Sequence, residues 1–372
     1  MKRRYLALGA ICASIILISG LWVAPLRYVK NIVHEHTVPS TIVHTQYGDV
    51  EINEPVLIDL INSNGVKRLK NIRQYGINYY LKKPEDYTRY EHSLGVMLLI
   101  RRFGGSLTEQ IAGLLHDASH TAFSHLGDWV FMDDSQAGTH SYQDDKHVTI
   151  LSRTDIPYVL EKHGYSLADI HHKEGDFKLL EQDLPDICAD RLEYNLFGGV
   201  LENLITKEEV HQILDDMRFE NGTWYFVNKD TARKFAEIPL YHTVHVWTCP
   251  FDTVTGKWLS EAVRRAFEIN LFKKEDFIYL SDPVLWDLLK ESQDPIIKDL
   301  LFKAYHANDF YEVVNDGTED TILKCKFRGI DPWVKTDSEL KRLTELDPEF
   351  AKNYHDVQEV MKHGWRIKYR NK

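Results

Sequence analysis

The segment from Tyr90 to Phe103 leaves a chain like this few ways to fold. Leu94, Val96, Met97, Leu98, Leu99 and Ile100 make it apolar nearly all round. As a helix it has no face to give to water, so it must run through the middle of a mainly helical domain. Gly104-Gly105 ends it, and the pattern predicts a second helix over residues 107–117 with Ile111, Leu114 and Leu115 in the core. These core-forming helices nevertheless carry His92 and the pair His116-Asp117, followed closely by His120 and His125. A carboxylate or imidazole among apolar side chains is costly unless it has a partner. Neutral imidazoles and ionised carboxylates on rigid elements suit a divalent metal. Two adjacent ligands diverge on a continuous helix, so His116 and Asp117 converge only if the helix frays near Ala118-Ser119. A fourth ligand is expected from Asp190, a carboxylate on the otherwise apolar helix predicted over residues 186–197.

The remainder of the 372 residues reads as helix decorated with small hairpins. Residues 41–52 form a short hairpin around Gly48-Asp49, and Asn221-Gly222 marks a second. Long helices are predicted over 229–248 and 256–272, separated by Cys249-Pro250, strands near 311–314 and 321–327, and a charged helix over 338–372. The net charge of −11 argues against a nucleic-acid groove, which needs a basic stripe. Four cysteines without a CxxC pair give neither a cysteine-rich zinc site nor a disulfide framework.

The N-terminus is distinct. Lys2-Arg3-Arg4 precedes an uncharged run over residues 5–26, long enough to cross a bilayer, with Trp22 placed like an interfacial anchor. The favoured expectation is a single-pass N-terminal membrane anchor; the alternatives are a cleaved signal peptide, with the body exported, and a buried core helix. The basic cluster would send the body out of the cytosol, while Arg27 and Lys30 oppose that bias, leaving the side of the membrane open.

The stretches Arg89-Tyr-Glu-His-Ser-Leu-Gly-Val and His116-Asp-Ala-Ser-His-Thr-Ala-Phe-Ser-His, with Asp190-Arg-Leu-Glu-Tyr194, resemble the HD-domain phosphohydrolase superfamily, and within it the deoxynucleotide triphosphohydrolases. The upstream runs Tyr47-Gly-Asp-Val-Glu-Ile and Arg68-Leu-Lys-Asn-Ile-Arg-Gln-Tyr-Gly76 are similar too. The likeness is good over residues 41–200, weak over 201–310, and includes no SAM domain. It implies a helical HD-domain bundle with small β-hairpins, to which the sequence adds the N-terminal membrane helix. It also implies His92, His116, Asp117 and Asp190 as ligands of a divalent ion (Mn, Fe, Mg, Co or Ni). His120, His125 and His147 would line the phosphates, with His147 as general acid, His140 as its rival and Asp128 supporting that histidine. Arg89 and Arg191 would contact phosphate, and Gln74 and Tyr194 the nucleoside. Such a set matches what phosphoryl chemistry needs: charge neutralisation, an activated water and a proton for the leaving oxygen.

Two departures matter. Gly198-Gly199 stands where these relatives carry an acidic group that holds the sugar hydroxyl. Asn62 and Lys70 replace residue types of the nucleotide-activated allosteric site, so GTP-driven tetramerisation is not expected, although a homo-oligomer is compatible with the resemblance. The expected organisation is a membrane or signal segment over 1–27, a linker over 28–40, a metallophosphohydrolase core over 41–215 and an α+β extension over 216–372. The expected activity is hydrolysis of a deoxynucleoside triphosphate to nucleoside and triphosphate. The alternatives are a nucleotide phosphomonoesterase or phosphodiesterase, and a membrane-tethered nucleotide sensor without turnover. A body outside the cytosol conflicts with a cytosolic dNTP substrate.

Overall fold

The central helix begins where its sequence says it should. In the computed structural model it spans Arg89–Arg102. Thr88 caps it: its hydroxyl accepts the Glu91 amide, and the Glu91 carboxylate accepts the Thr88 amide. All of Ser93–Ile100 is buried. It packs against the helix Leu107–Leu115 on one side and the helix Ala189–Leu201 on another. The structure describes residues 40–81, 87–132, 141–173 and 175–370, and Pro39–Lys372 forms one contact unit.

Helices build two cores. One surrounds the central helix and draws in Phe226, Phe235 and Phe350. The other is centred on the helices Pro250–Glu268 and Pro295–Tyr305, with Phe123, Phe277 and Trp286. Nine short strands decorate the described residues: β1 (Thr41–Thr45), β2 (Gly48–Ile52), β3 (Met217–Glu220), β4 (Thr223–Phe226), β5 (Tyr311–Val313), β6 (Thr321–Leu323), β7 (Trp333–Lys335), β8 (Leu340–Arg342) and β9 (Trp365–Tyr369). They form more than hairpins. Beside the β1–β2 ribbon there is a four-stranded sheet ordered β3-β4-β7-β8, in which β4 and β7 run parallel, and a three-stranded sheet ordered β5-β9-β6.

Several expectations are corrected. The N-terminal membrane helix is withdrawn, and with it the placement at a membrane: no helix among the described residues is long and apolar enough to cross a bilayer. Residues 5–26, on which it rested, lie outside the described residues, as does His140. The charged tail is not one helix. Asp347 caps a new helix over Pro348–His363 by accepting the Phe350 amide, and Gly364, at φ 73°, stops it so that β9 can pair with β5 and β6. The basic stretch 66–75 gives only short turns of helix, Asn64–Lys67 and Arg68–Asn71.

Candidate metal centre and substrate pocket

The helix Leu107–Leu115 stops one residue before the histidine-aspartate pair. His116 stands at its C-cap, and from there the chain turns, with the Ala118 amide donating to Leu115 O and the His120 amide to Asp117 O. This break lets His116 and Asp117 face the same point. Their ligand atoms and that of His92 lie within 4.8 Å of one another. His92 Nε2 is 3.2 Å from His116 Nε2 and 3.5 Å from Asp117 Oδ2. Asp190 joins from the facing helix, its Oδ1 3.0 Å from His92 Nε2 and 3.5 Å from His116 Nε2.

The donor set fits a divalent cation. His116 Nδ1 donates to Gly113 O at 2.7 Å, and His92 Nδ1 donates to Glu193 Oε2 at 2.5 Å. Both rings therefore turn the Nε2 lone pair toward the two carboxylates, the arrangement in which an outer hydrogen bond fixes the tautomer of a metal-binding histidine. Burial alone would lower the His92 imidazole. The Glu193, Asp190 and Asp117 carboxylates outweigh it and push it up to about 10. That excess of negative charge is what a cation would neutralise.

Glu193 was not singled out in the sequence. It sits three residues after Asp190, on the same face of the helix Ala189–Leu201, and is fully buried. Tyr47 also donates to it, at 3.0 Å, which gives the β1–β2 turn its place beside the centre. Gly95 makes room for it: a Cβ there would lie 2.6 Å from Glu193 Oε1.

The turn carrying His120 and His125 is held under strain. Phe123 and Ser124 both adopt positive φ, 59° and 56°, a conformation that costs about 1–3 kcal/mol per non-glycine residue. Several contacts fix it. Asp282 accepts the Phe123 and Arg73 amides at 2.7 and 2.9 Å. Ser124 donates to Arg73 O at 2.5 Å. The Arg68 guanidinium reaches Ala118 O and His120 O. The upstream basic run thus braces the motif turn.

The phosphate-side residues divide. Arg89 is buried and pairs with Asp117 while donating to Ser124 Oγ at 2.7 Å. Although it lines the pocket, it positions the centre as much as it faces substrate. His120 Nε2 lies 3.2 Å from Asp117 Oδ1, and burial and the Arg89 charge lower it to about 4, so it is neutral at physiological pH. His125 is half-exposed in the pocket mouth with Asp128 Oδ2 3.3 Å from its Nδ1. Asp128 also accepts the Tyr142 amide at 2.8 Å, so it supports His125 and not His147. His147 is buried against Ser119 Oγ at 2.9 Å and does not line the pocket. Burial and the neighbouring His172, His171 and His116 hold its imidazole well below the usual range.

The pocket encloses about 290 Å³, the scale of a small-molecule site. Gln74 lines it and its buried Oε1 has no partner. Tyr194 and Trp247 meet edge to face at 4.9 Å on the same wall. His172 is buried and lines the pocket; its Nε2 lies 3.4 Å from Asp144 Oδ1, and its Nδ1 has no partner among the described residues. Gly198 explains its own departure. A Cβ there would meet His242 Cε1 at 2.6 Å and the Tyr75 hydroxyl at 3.0 Å, so an imidazole and a phenol fill the space of any side chain.

A fold of packed helices with a His, His-Asp, Asp set at their junction defines a metal-dependent hydrolase of the HD class. The HD domain model matches residues 89–194. The chain is 32% identical to the uncharacterised protein YdhJ of Bacillus subtilis over 87% of its own length and 97% of that protein. It is 32% identical to the metal-dependent phosphohydrolase cns2 of Cordyceps militaris, covering 67% of this chain and 72% of that one. The human deoxynucleoside triphosphate triphosphohydrolase SAMHD1 matches at 32% identity over 29% of this chain and 20% of its own. The chain belongs to the HD-domain phosphohydrolases, and over its motif-bearing segment it resembles the triphosphohydrolase branch. Membership implies a divalent metal.

Proposed function

We propose that this chain hydrolyses a nucleotide phosphate ester, with release of triphosphate from a deoxynucleoside triphosphate as the first reaction to test. The observation that carries the reading is one pocket lined by His116, Asp117 and Asp190, with His92 buried directly behind them, together with unpartnered basic side chains and an aromatic wall. His92, His116, Asp117 and Asp190 would hold the ion, which when bound offsets phosphate charge and makes water a better nucleophile at neutral pH. Glu193 keeps His92 in the binding tautomer. Arg89 holds Asp117 in place. His125, oriented by Asp128, is the group able to deliver a proton to the leaving oxygen, because it faces the pocket and His147 does not. Arg191 lies beside the centre and offers forked donors to phosphate. Tyr194, Trp247 and Gln74 supply a flat surface and an acceptor for a base or sugar.

One observation favours a second reading. The sugar-side acidic group is replaced by Gly198, and His242 occupies that space. A nucleotide phosphomonoesterase or phosphodiesterase needs no such group. Incubating the metal-loaded protein with nucleoside mono-, di- and triphosphates and a cyclic nucleotide, and weighing the products, separates the two. Triphosphate plus nucleoside supports the first; orthophosphate or a ring-opened monoester supports the second. No product from any nucleotide rejects both.

A further inference from the structure

The C-terminal extension reaches into the pocket. Directly after β6, residues 324–328 read Lys-Cys-Lys-Phe-Arg. Lys324, Cys325, Lys326 and Arg328 line the cavity, while Phe327 turns away to meet Tyr354 edge to face at 5.1 Å. The segment is fixed at its far end. Ile330 is fully buried, the Asp331 amide donates to Pro185 O at 3.1 Å, and Arg342 of β8 bridges Asp331 O at 2.7 Å to Asp186 Oδ1 at 2.5 Å. These bonds tie the C-terminal segment to the loop that leads into Asp190 and Arg191.

These bonds bring Lys326 and Arg328 close to Arg191 and Lys173, on a pocket wall that also carries Asp144, Glu181 and Asp190. Lys326 is lowered by partial desolvation and by Arg328, Arg191 and Lys173, while Asp144 opposes. Arg328 acts on the Tyr194 hydroxyl. Lys173 is matched by Glu181 at 3.1 Å and Asp144 at 3.7 Å, whereas among the described residues Arg191 donates to a backbone carbonyl, Asp186 O at 3.0 Å, and makes no ion pair. Lys326 and Arg328 make no ion pair or hydrogen bond among the described residues. On the same wall His172, 2% exposed, sets Nε2 3.4 Å from Asp144 Oδ1, while its Nδ1 has no partner among the described residues. Gathering unpaired cations beside one another costs free energy unless an anion sits among them.

The geometry points to a second anion subsite, in which Lys326 and Arg328 of the C-terminal segment join Arg191 to grip phosphate groups of the substrate lying beyond the metal centre. It rests on the phosphohydrolase reading for the identity of the ligand, and it makes the preferred substrate one with a condensed phosphate chain. The extension is then part of the site, a wall that residues 89–194 alone do not possess.

The test uses the full-length metal-loaded protein, with inorganic tripolyphosphate and orthophosphate as probes in titration calorimetry. Wild type is expected to bind tripolyphosphate at least about ten-fold tighter than orthophosphate, as added charge-assisted contacts require. The double variant Lys326→Ala/Arg328→Ala is expected to lose roughly ten-fold or more in tripolyphosphate affinity and little in orthophosphate affinity. The charge-conserving pair Lys326→Arg/Arg328→Lys should stay within about three-fold of wild type. KM for a nucleoside triphosphate should rise in the alanine variant and far less for a monophosphate. Equal tripolyphosphate affinity in wild type and alanine variant overturns the subsite. If the protein turns over nucleotides with the same KM in both, the subsite fails while the phosphohydrolase reading stands. If tripolyphosphate affinity depends on the pair but no nucleotide is hydrolysed, the subsite stands and that reading fails.

Discussion

The two walls of the pocket are built on opposite principles. On the metal side the groups are already engaged, and all but the partly exposed Asp190 are buried: His92 with Glu193 and Asp190, His116 with Gly113, Asp117 with Arg89 and His120. On the substrate side Gln74 Oε1, His172 Nδ1 and the head groups of Lys326 and Arg328 have no hydrogen-bond partner among the described residues. The metal wall is therefore specified by its own protein neighbours, whereas the substrate wall is completed only by a ligand. The first records the chemistry, and the second records what is brought to it.

Substitutions on the metal wall should cost most. Asp117→Ala removes an expected ligand and strands the buried Arg89, so activity should fall below detection and stability should drop by roughly 3–5 kcal/mol. Asp117→Asn, which keeps the shape, separates the two effects when turnover and a melting curve are read together. His125→Ala, on the border between the walls, should lower kcat by about 100-fold or more. The loss should shrink for a substrate whose leaving group needs no proton; an equal loss on both substrates counts against His125 as the proton donor. Glu193→Gln acts through His92 and should weaken metal affinity by about 10- to 100-fold. It should be measured by metal titration, since loss of turnover alone would not distinguish it from a packing defect.

A smaller effect concerns the brace beneath both walls. Burial pushes the Asp282 carboxyl up to about 7, while the Arg73 and Phe123 amides and the Arg68 and Arg89 charges pull the other way. An acid raised on folding binds its proton more tightly in the folded state. Its favourable contribution is complete below about pH 4 and is lost as pH rises through about 7. Relative to Asp282→Asn, wild type should lose a few degrees of melting temperature between pH 5 and 8. A constant difference across that range contradicts the sign.

The metal wall was legible in the sequence because its residues break local rules. Histidines on helices without a polar face, and Asp190 on an apolar helix, have no reason to be there except one another. The fraying near Ala118 followed from the geometry of adjacent ligands, and the helix does end at Leu115. Glu193 carries the same signal, a carboxylate three residues from Asp190 on the same apolar helix. The substrate wall was not legible. Lys326 and Arg328 lie more than 130 residues from Asp190, and alternating lysines in a short strand resemble any solvated edge until the fold brings them to the pocket. His147 shows the reverse case: a histidine at a suggestive spacing that is buried and is not among the described residues lining the pocket. The membrane helix rested on the uncharged run over residues 5–26, the basic cluster before it and Trp22, all of which lie outside the described residues.

The decisive measurement is an anomalous-difference map from crystals of the manganese-loaded protein. One peak is predicted within about 2.0–2.3 Å of His92 Nε2, His116 Nε2, Asp117 and Asp190, and no peak at that position in crystals of Asp117→Ala. A manganese peak elsewhere, with those four side chains left uncoordinated, contradicts the account.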